Sequence, residues 1–511
     1  MIVEGKDITG PLRETADVCV IGSGCGGGAS AKILAAAGKK VVVIEEGGSY
    51  GAADFDGTEE TAYQHLYQQR GAQATSDLSV TVLQGRCVGG SSAVNWCTAL
   101  RTPEYVLDAW ARRFGVRDMS MKELEPYFER IERYLNVRPE PEDRHSPNNR
   151  ILLDGCRSLG YRVRANGRNV RNCVQAGACG LGCPFDAKLS VNTTYIPEAV
   201  AHGATLYADC RAEKIAVHGP RKRVTGNVLD RATRKPRLEF SIDAPVVIVA
   251  GSAIQSPVLL LKSGLANSSG QVGENLTFHL TTAVMGVFDR VIYAAGGIPQ
   301  SVLSDEFLNR DGDGSGFWIE SVPIYPALAA LALPGFGRRH RAMMKQFGNI
   351  GASIVLVKES DSSGSVTVSD HGRAVIAYTS GPRDRMILKQ ALKEAARIHF
   401  AAGAERVTTL HVAPTEIASP PDIDRVLDRA RWGPNDLALY SAHPLGTCRM
   451  GEDASQAVVD SHCQAHDVRG LFVIDGSVTP TSLGVNPQLT ILAVAEKSAE
   501  WVCENFGKLA S

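Results

Sequence analysis

The chain has 511 residues, 54 Lys and Arg against 55 Asp and Glu, 21% charged residues and 44% hydrophobic ones. That length calls for two domains, or one large nucleotide-binding unit with an inserted second part, and the composition is that of a soluble globular protein. A net charge of −1 leaves no basic excess, so neither nucleic acid nor an anionic membrane surface is expected as a partner.

From the N-terminus, Met1–Thr15 carries charges of both signs and no apolar run, unlike a secretory signal, so a cytoplasmic location is expected. Asp17–Ile21 is a short β-branched run, Ala29–Ala37 an alanine-rich helical stretch and Lys40–Ile44 a second β-branched run. Between the first run and the helix lies Gly22-Ser23-Gly24-Cys25-Gly26-Gly27. Gly22, Gly24 and Gly27 let the backbone approach a dinucleotide pyrophosphate, whose charge the helix N-terminus stabilises. Glu45 ends the second run, near the spacing of about 20 residues at which a carboxylate reaches ribose hydroxyls and disfavours a 2′-phosphate.

Further along, Pro245–Ala250 reads as a buried strand that runs through Gly251 into an apolar helix, Ile254–Leu261. Leu471–Ile474 reads as another strand, ahead of Asp475 and a final helix near Leu489–Cys503. These pieces of one parallel sheet are scattered, so the nucleotide domain must be discontinuous, built from 1–105, 190–287 and 438–511. Residues 106–189 connect its parts. Between 288 and 437 the texture changes to alternating strands, such as Ala352–Lys358 and Ser365–Val368, and a helix from Arg385 to Phe400. This region is expected to be an inserted antiparallel-sheet plus helix substrate domain. No stretch reaches the ~18 apolar residues of a membrane span. The nearest, Val322–Phe336, is broken by prolines, and its Tyr325–Leu333 part reads either as the lining of a pocket for a lipophilic substrate or as a buried strand and helix.

A second glycine motif, Gly85-Arg86-Cys87-Val88-Gly89-Gly90-Ser91-Ser92-Ala93-Val94-Asn95, offers closely spaced donors to an anion or heterocycle. With Ser441-Ala442-His443-Pro444-Leu445-Gly446-Thr447-Cys448-Arg449-Met450-Gly451, Asp475-Gly476-Ser477 and Asn486-Pro487-Gln488-Leu489-Thr490, it resembles the glucose-methanol-choline (GMC) oxidoreductases. The resemblance covers roughly 15–105, 190–280 and 438–505. Val94–Pro103 and the cysteine-bearing segment look most like the long-chain alcohol oxidase-like members.

The resemblance implies an α/β fold with a discontinuous Rossmann-type FAD-binding domain and an enzyme that oxidises CH–OH groups. It places Gly85, Arg86, Gly89, Gly90, Ser91 and Asn95 at the flavin, Asp475 at the ribityl chain, and Pro487 and Gln488 at a helix start facing the flavin's N1–C2 edge. His443 and Asn486 become the catalytic pair. His443 would accept or share the hydroxyl proton of a primary or secondary alcohol as its hydride passes to flavin N5, giving an aldehyde or ketone, and Asn486 would orient the oxygen. Members that bind FAD covalently use a histidine where this chain has Val94, so non-covalent FAD is expected. A lyase on the same scaffold is the alternative without net redox. The acceptor, oxygen or a redox partner, is left open.

Cys173, Cys179 and Cys183-Pro184 form a cluster among twelve cysteines. Its spacing resembles the iron-sulfur segment of flavin-dependent glucose dehydrogenases in this family, which would make it a relay to a redox partner. The residues also read as a tight loop with small buried thiols. Zinc is disfavoured because no fourth ligand stands at a usual spacing. The scattered remainder suggests free thiols.

Overall fold

The computed structural model describes all 511 residues. Val18–Ile21, Val41–Ile44 and Val246–Val249 are apolar at every position and buried at every position. Strands of that kind need cover on both faces, the situation of a parallel sheet between helices. They are central in a six-stranded parallel sheet, ordered Ile2–Val3, Thr205–Tyr207, Val41–Ile44, Val18–Ile21, Val246–Val249 and Leu471–Val473. Each such side chain removed from water contributes about 1.5–3 kcal/mol.

The helix Cys25–Ala36 joins the first two central strands and packs against Gln488–Ala510 and Tyr195–Ala201. Its buried Gly28, Ala29, Ser30 and Ala31 give a narrow surface that lets the neighbouring helices approach closely. Beside it, a four-stranded sheet runs Cys210–His218, Arg221–Leu229, Pro236–Ala244 and Leu12–Thr15.

The second large sheet is antiparallel, in the order Glu416–Ile417, Arg406–Thr409, His279–Val287, Ile350–Lys358, Gly316–Ser321, Val302–Ser304 and Arg164–Ala165. The helix Pro382–Ala401 packs on its strands, and Pro147–Leu159 packs on that helix. Leu439–Ser441 joins the strand His279–Val287 through Thr281 and Tyr440 and pairs in parallel with Val80–Val82.

The domain division therefore departs from the sequence reading in four places, Val80–Val82 of the first nucleotide-binding segment being one. His279–Val287, assigned to the nucleotide-binding segment, is a central strand of the second sheet. Its nine residues are buried on both faces, which reads in sequence like a parallel strand. Arg164–Ala165 from the connecting segment and Leu439–Ser441 from the C-terminal part also pair into that sheet. Two apolar cores result, one around each sheet.

No helix is long and apolar enough to cross a membrane. Tyr325–Leu333 holds a short helix, Pro326–Ala332, on which Leu331 is 86% exposed. None of this segment lines the principal cavity, so of its two readings the pocket lining is not the one the structure favours.

Candidate active site

Side chains from both sheets line one cavity of about 1080 Å³, at the upper end of the usual range for small-molecule sites. That is room for a dinucleotide and a small substrate together.

One part of it is built by the two glycine motifs. Gly22 has φ +102°, and a Cβ there would lie 2.2 Å from the Ala250 carbonyl oxygen, so no other residue makes this turn. Gly24 caps the helix with no side-chain bond, and a Cβ on it would meet only Gly90 Cα, at 3.9 Å. The free amides of the helix start are thus open to an anion. Glu45 Oε2 accepts from Ser23 N at 3.0 Å and Ser23 Oγ at 2.7 Å, and Oε1 accepts from Gly47 N at 2.8 Å. Ser23 Oγ in turn accepts from Gly89 N at 3.1 Å. Burial pushes the Glu45 carboxyl above its ordinary range, against these hydrogen bonds.

In the second motif, Gly85 N donates to Ser91 Oγ at 2.9 Å, and Gly90 packs on Gly24. Arg86 lines the cavity with its Nε unpartnered. Asn95 faces the final helix, donating through Nδ2 to Gln488 Oε1, while its carbonyl accepts from buried Lys188 at 2.7 Å. The helix Gln488–Ala510 begins after Pro487, and Pro487, Gln488 and Ile491 line the cavity. Asp475 accepts from Ser252 N and Ser477 N, each at 2.8 Å, and from Ser256 Oγ. It therefore knits two chain segments at the cavity wall, and burial raises its pKa. The open helix start, the glycine cradle and the unpartnered Arg86 Nε fit FAD.

The same cavity is lined by His443 and Asn486, with Trp96, Ile354, Leu356 and Tyr440 as apolar wall. His443 follows the Leu439–Ser441 strand, and its N–H donates to Ser441 Oγ at 3.1 Å. Its Nδ1 lies 2.9 Å from Nδ1 of His279. The backbone N–H groups of Leu483 and Gly484 both point at His279 Nε2, each at 3.1 Å. That nitrogen is an acceptor, so neutral His279 carries its proton on Nδ1 and donates it to His443. His443 is left with its own proton on Nε2. Burial holds His279 well below its ordinary pKa, with His443 and Lys358 adding to the effect. Burial alone lowers His443, to about 4. Trp318 packs edge-on against His279, ring centroids 4.8 Å apart.

Asn486 Nδ2 donates to Glu320 Oε2 at 3.4 Å, and Asn486 Oδ1 has no partner. Glu320 is fully buried and lines the same cavity. Gln300 Nε2 donates to Glu320 Oε2 at 2.8 Å, and Gln300 Oε1 accepts from Thr98 at 2.6 Å. Burial raises the Glu320 carboxyl to about 7, opposed by Asn486, Trp318, Arg164 and Gln300. The sequence reading named neither His279 nor Glu320. A charged residue inside the apolar run Phe317-Trp318-Ile319-Glu320 is the signal that could have found the latter, because an unpaired buried carboxyl is costly unless it has work to do.

The sequence leaves the cysteine segment open between an iron-sulfur site and a tight loop of small buried thiols. No group of three or more His, Cys, Asp or Glu side chains is placed to hold a metal ion. All twelve cysteines are free; Cys179 is buried, while Cys173 and Cys183 are half-buried. Cys179 lies beside Cys97, from the flavin-side loop, and both thiols are close to the buried Arg168 and Lys188. Buried Arg168 approaches Cys179 Sγ at 3.6 Å and pairs with Glu140 at 2.8 Å. Hydrogen bonding from Cys179, with Arg168 and Lys188, holds the Cys97 thiol below its usual range. Cys179 Sγ already accepts from Arg168, and no group of three ligands forms around it, which favours the tight-loop reading of Cys173, Cys179 and Cys183 over an iron-sulfur cluster.

Comparison with known proteins agrees with this geometry. Residues 63–281 and 360–495 match the N- and C-terminal family models described as GMC oxidoreductase. The chain is 34% identical over 492 residues to an uncharacterized GMC-type oxidoreductase of Mycobacterium tuberculosis, covering 95% of this chain and 75% of that protein. It is 31% identical over 509 residues to a long-chain-alcohol oxidase of Arabidopsis thaliana, covering 94% of this chain and 66% of the relative. Among solved structures, a pyridoxine 4-oxidase from Mesorbium loti superposes with a TM-score of 0.71 at 20% identity, over 95% of this chain and 98% of that one. A formate oxidase of Aspergillus oryzae does so with a TM-score of 0.71 at 18% identity, over 98% and 100%.

Proposed function

This chain belongs to the GMC oxidoreductase family and is an FAD-dependent oxidoreductase acting on CH–OH groups; on that premise we propose that it is an alcohol oxidase whose catalytic pair is His443 and Asn486. The observation that carries the proposal is that these two side chains line the same cavity as the glycine cradle. FAD, when bound, accepts the hydride of the carbinol carbon at N5.

The chain's own groups do the rest. His443 Nε2–H, free of protein partners, binds the alcohol oxygen, and Asn486 orients it, so that the carbinol C–H faces the flavin. Glu45 would hold the ribose hydroxyls, Arg86 and the Gly24 helix start the pyrophosphate, and Asp475 the ribityl side. The start of the final helix, near Pro487 and Gln488, would favour negative charge on the flavin. Val94, on the cavity wall, offers no atom for covalent attachment, which supports non-covalent FAD.

The substrate is a primary or secondary alcohol, oxidised to an aldehyde or ketone. The apolar wall of Trp96, Ile354, Leu356 and Tyr440 and the long-chain-alcohol oxidase relatives favour a lipophilic one. The long-chain-alcohol oxidase relatives favour oxygen as acceptor. The test is anaerobic mixing of the holoenzyme with alcohols of increasing chain length, followed by flavin bleaching. Bleaching that becomes more efficient with chain length supports the proposal. Aldehyde release from a cyanohydrin-type substrate with the flavin still oxidised would establish the lyase alternative.

A further inference from the structure

Within that reading, the hydroxyl proton needs a resident acceptor, and His443 is poorly placed to be one. Its Nδ1 already accepts from His279, so its neutral ring offers the cavity a donor, Nε2–H. Adding a second proton would set two N–H groups against each other across 2.9 Å. The conflict would ease only if His279 moved its proton to Nε2, where the Leu483 and Gly484 amides already point at 3.1 Å. Either route breaks hydrogen bonds inside a buried cluster.

Glu320 has the opposite character. It is fully buried, forms no ion pair and shares the cavity with His443 and Asn486, and its Oε1 has no partner. Its Oε2 is held by two neutral amides, Gln300 and Asn486. Arg164, two strands away in the sheet, is a charged group that acts on it, and Arg164 is itself engaged by Asp305 at 3.2 Å. Trp318, on the same strand, is neutral and lies beside both Glu320 and His279.

We propose that the Glu320 carboxylate, not His443, takes the hydroxyl proton, while His443 serves as a neutral hydrogen-bond donor to the alcohol oxygen. The O–H bond breaks and its proton forms a bond to a Glu320 oxygen. The C–H bond breaks with its electron pair passing to the oxidised flavin, and the C=O bond forms. Carbon is oxidised by two electrons and the flavin reduced by two. Burial brings the carboxyl to about 7, which suits a base working near neutrality.

The experiment compares wild-type, Glu320→Gln, Glu320→Asp and His443→Gln holoenzymes. Flavin reduction by a soluble alcohol is followed anaerobically from roughly pH 5 to 9, and the carboxylic C=O infrared band is titrated in alcohol-free protein. Wild type is expected to show a rate that rises with pH near neutrality and a buried carboxyl band that disappears over the same interval. Glu320→Gln is expected to lose the band and the pH limb, with reduction slowed about 10²- to 10⁴-fold. His443→Gln is expected to be slower with the limb and band intact. If Glu320→Gln loses FAD, Glu320→Asp must keep FAD and move the limb. A limb that persists unshifted in the Glu320 variants, or vanishes in His443→Gln, overturns the proposal. If no alcohol reduces the wild-type flavin, the functional reading fails separately, and the absence of a titrating band would still overturn the role of Glu320.

Discussion

Ser23 Oγ donates to Glu45 Oε2 at 2.7 Å and is itself the acceptor for Gly89 N at 3.1 Å. One hydroxyl thereby ties the first glycine turn to the second and orients the carboxylate assigned to the ribose. Ser23→Ala should leave Glu45 held by two amides alone and loosen Gly89. A hydrogen bond to a charged group is worth about 1.5–3 kcal/mol, so FAD affinity should fall roughly ten- to hundredfold. Fluorescence titration of apoprotein with FAD reads this, and unchanged affinity would remove Ser23 from the cradle. Glu45→Gln should weaken FAD as well.

The His279–His443 contact predicts a split between cofactor binding and turnover. His443→Ala should keep the yellow flavin and lose most turnover. His279→Leu should also keep it, because His279 stands beside His443, yet slow turnover by up to about a hundredfold as His443 loses its fixed tautomer and orientation. Steady-state kinetics with flavin content measured on the same sample decides, and flavin loss in either variant would make the pair structural.

Glu320 also sets a pH dependence of stability. Its folded-state pKa is raised to about 7 from 4.5, so the folded protein retains a proton that the unfolded chain releases between those values. Stability from this group is full below about pH 4.5 and declines as pH rises through 7, by about 3 kcal/mol in all. Glu320→Gln removes the decline. Thermal unfolding should therefore show the variant gaining stability relative to wild type at pH 8 compared with pH 5, and a constant difference across that range would show that the carboxyl is not raised.

The cysteine loop predicts a simple spectrum. Purified protein should show flavin bands, without stoichiometric iron or acid-labile sulfide, and chelator treatment should leave activity unchanged. Iron in fixed ratio to flavin would require Cys173, Cys179 and Cys183 to rearrange away from the Cys97 and Arg168 contacts.

The chemistry-bearing motifs were legible because they are local. A glycine turn between a buried strand and a helix is written in consecutive residues, since backbone approach and positive φ restrict each position by itself. Gly22, Gly24 and Glu45 could be named on that ground, and the strands at Val18–Ile21, Val246–Val249 and Leu471–Val473 on their apolar runs. His443 and Asn486 needed the family resemblance, because a lone histidine or asparagine carries no spacing signal.

Long-range pairing was not legible. His279–Val287 reads as a nucleotide-domain strand until its partners Ile350–Lys358 and Arg406–Thr409 are seen. The cysteines look like one cluster along the chain, yet Cys97, from a distant segment, lies beside Cys179 as well. The sequence by itself determined the cofactor cradle and the kind of sheet that carries it, through short-range backbone geometry and runs of hydrophobicity. Only the tertiary structure decided the proton arrangement, in which the amides of Leu483 and Gly484 set His279, His279 sets His443, and Glu320 is left buried beside Asn486. A protonation state depends on burial and on which donors arrive from distant segments, and neither is encoded in the spacing of neighbouring residues.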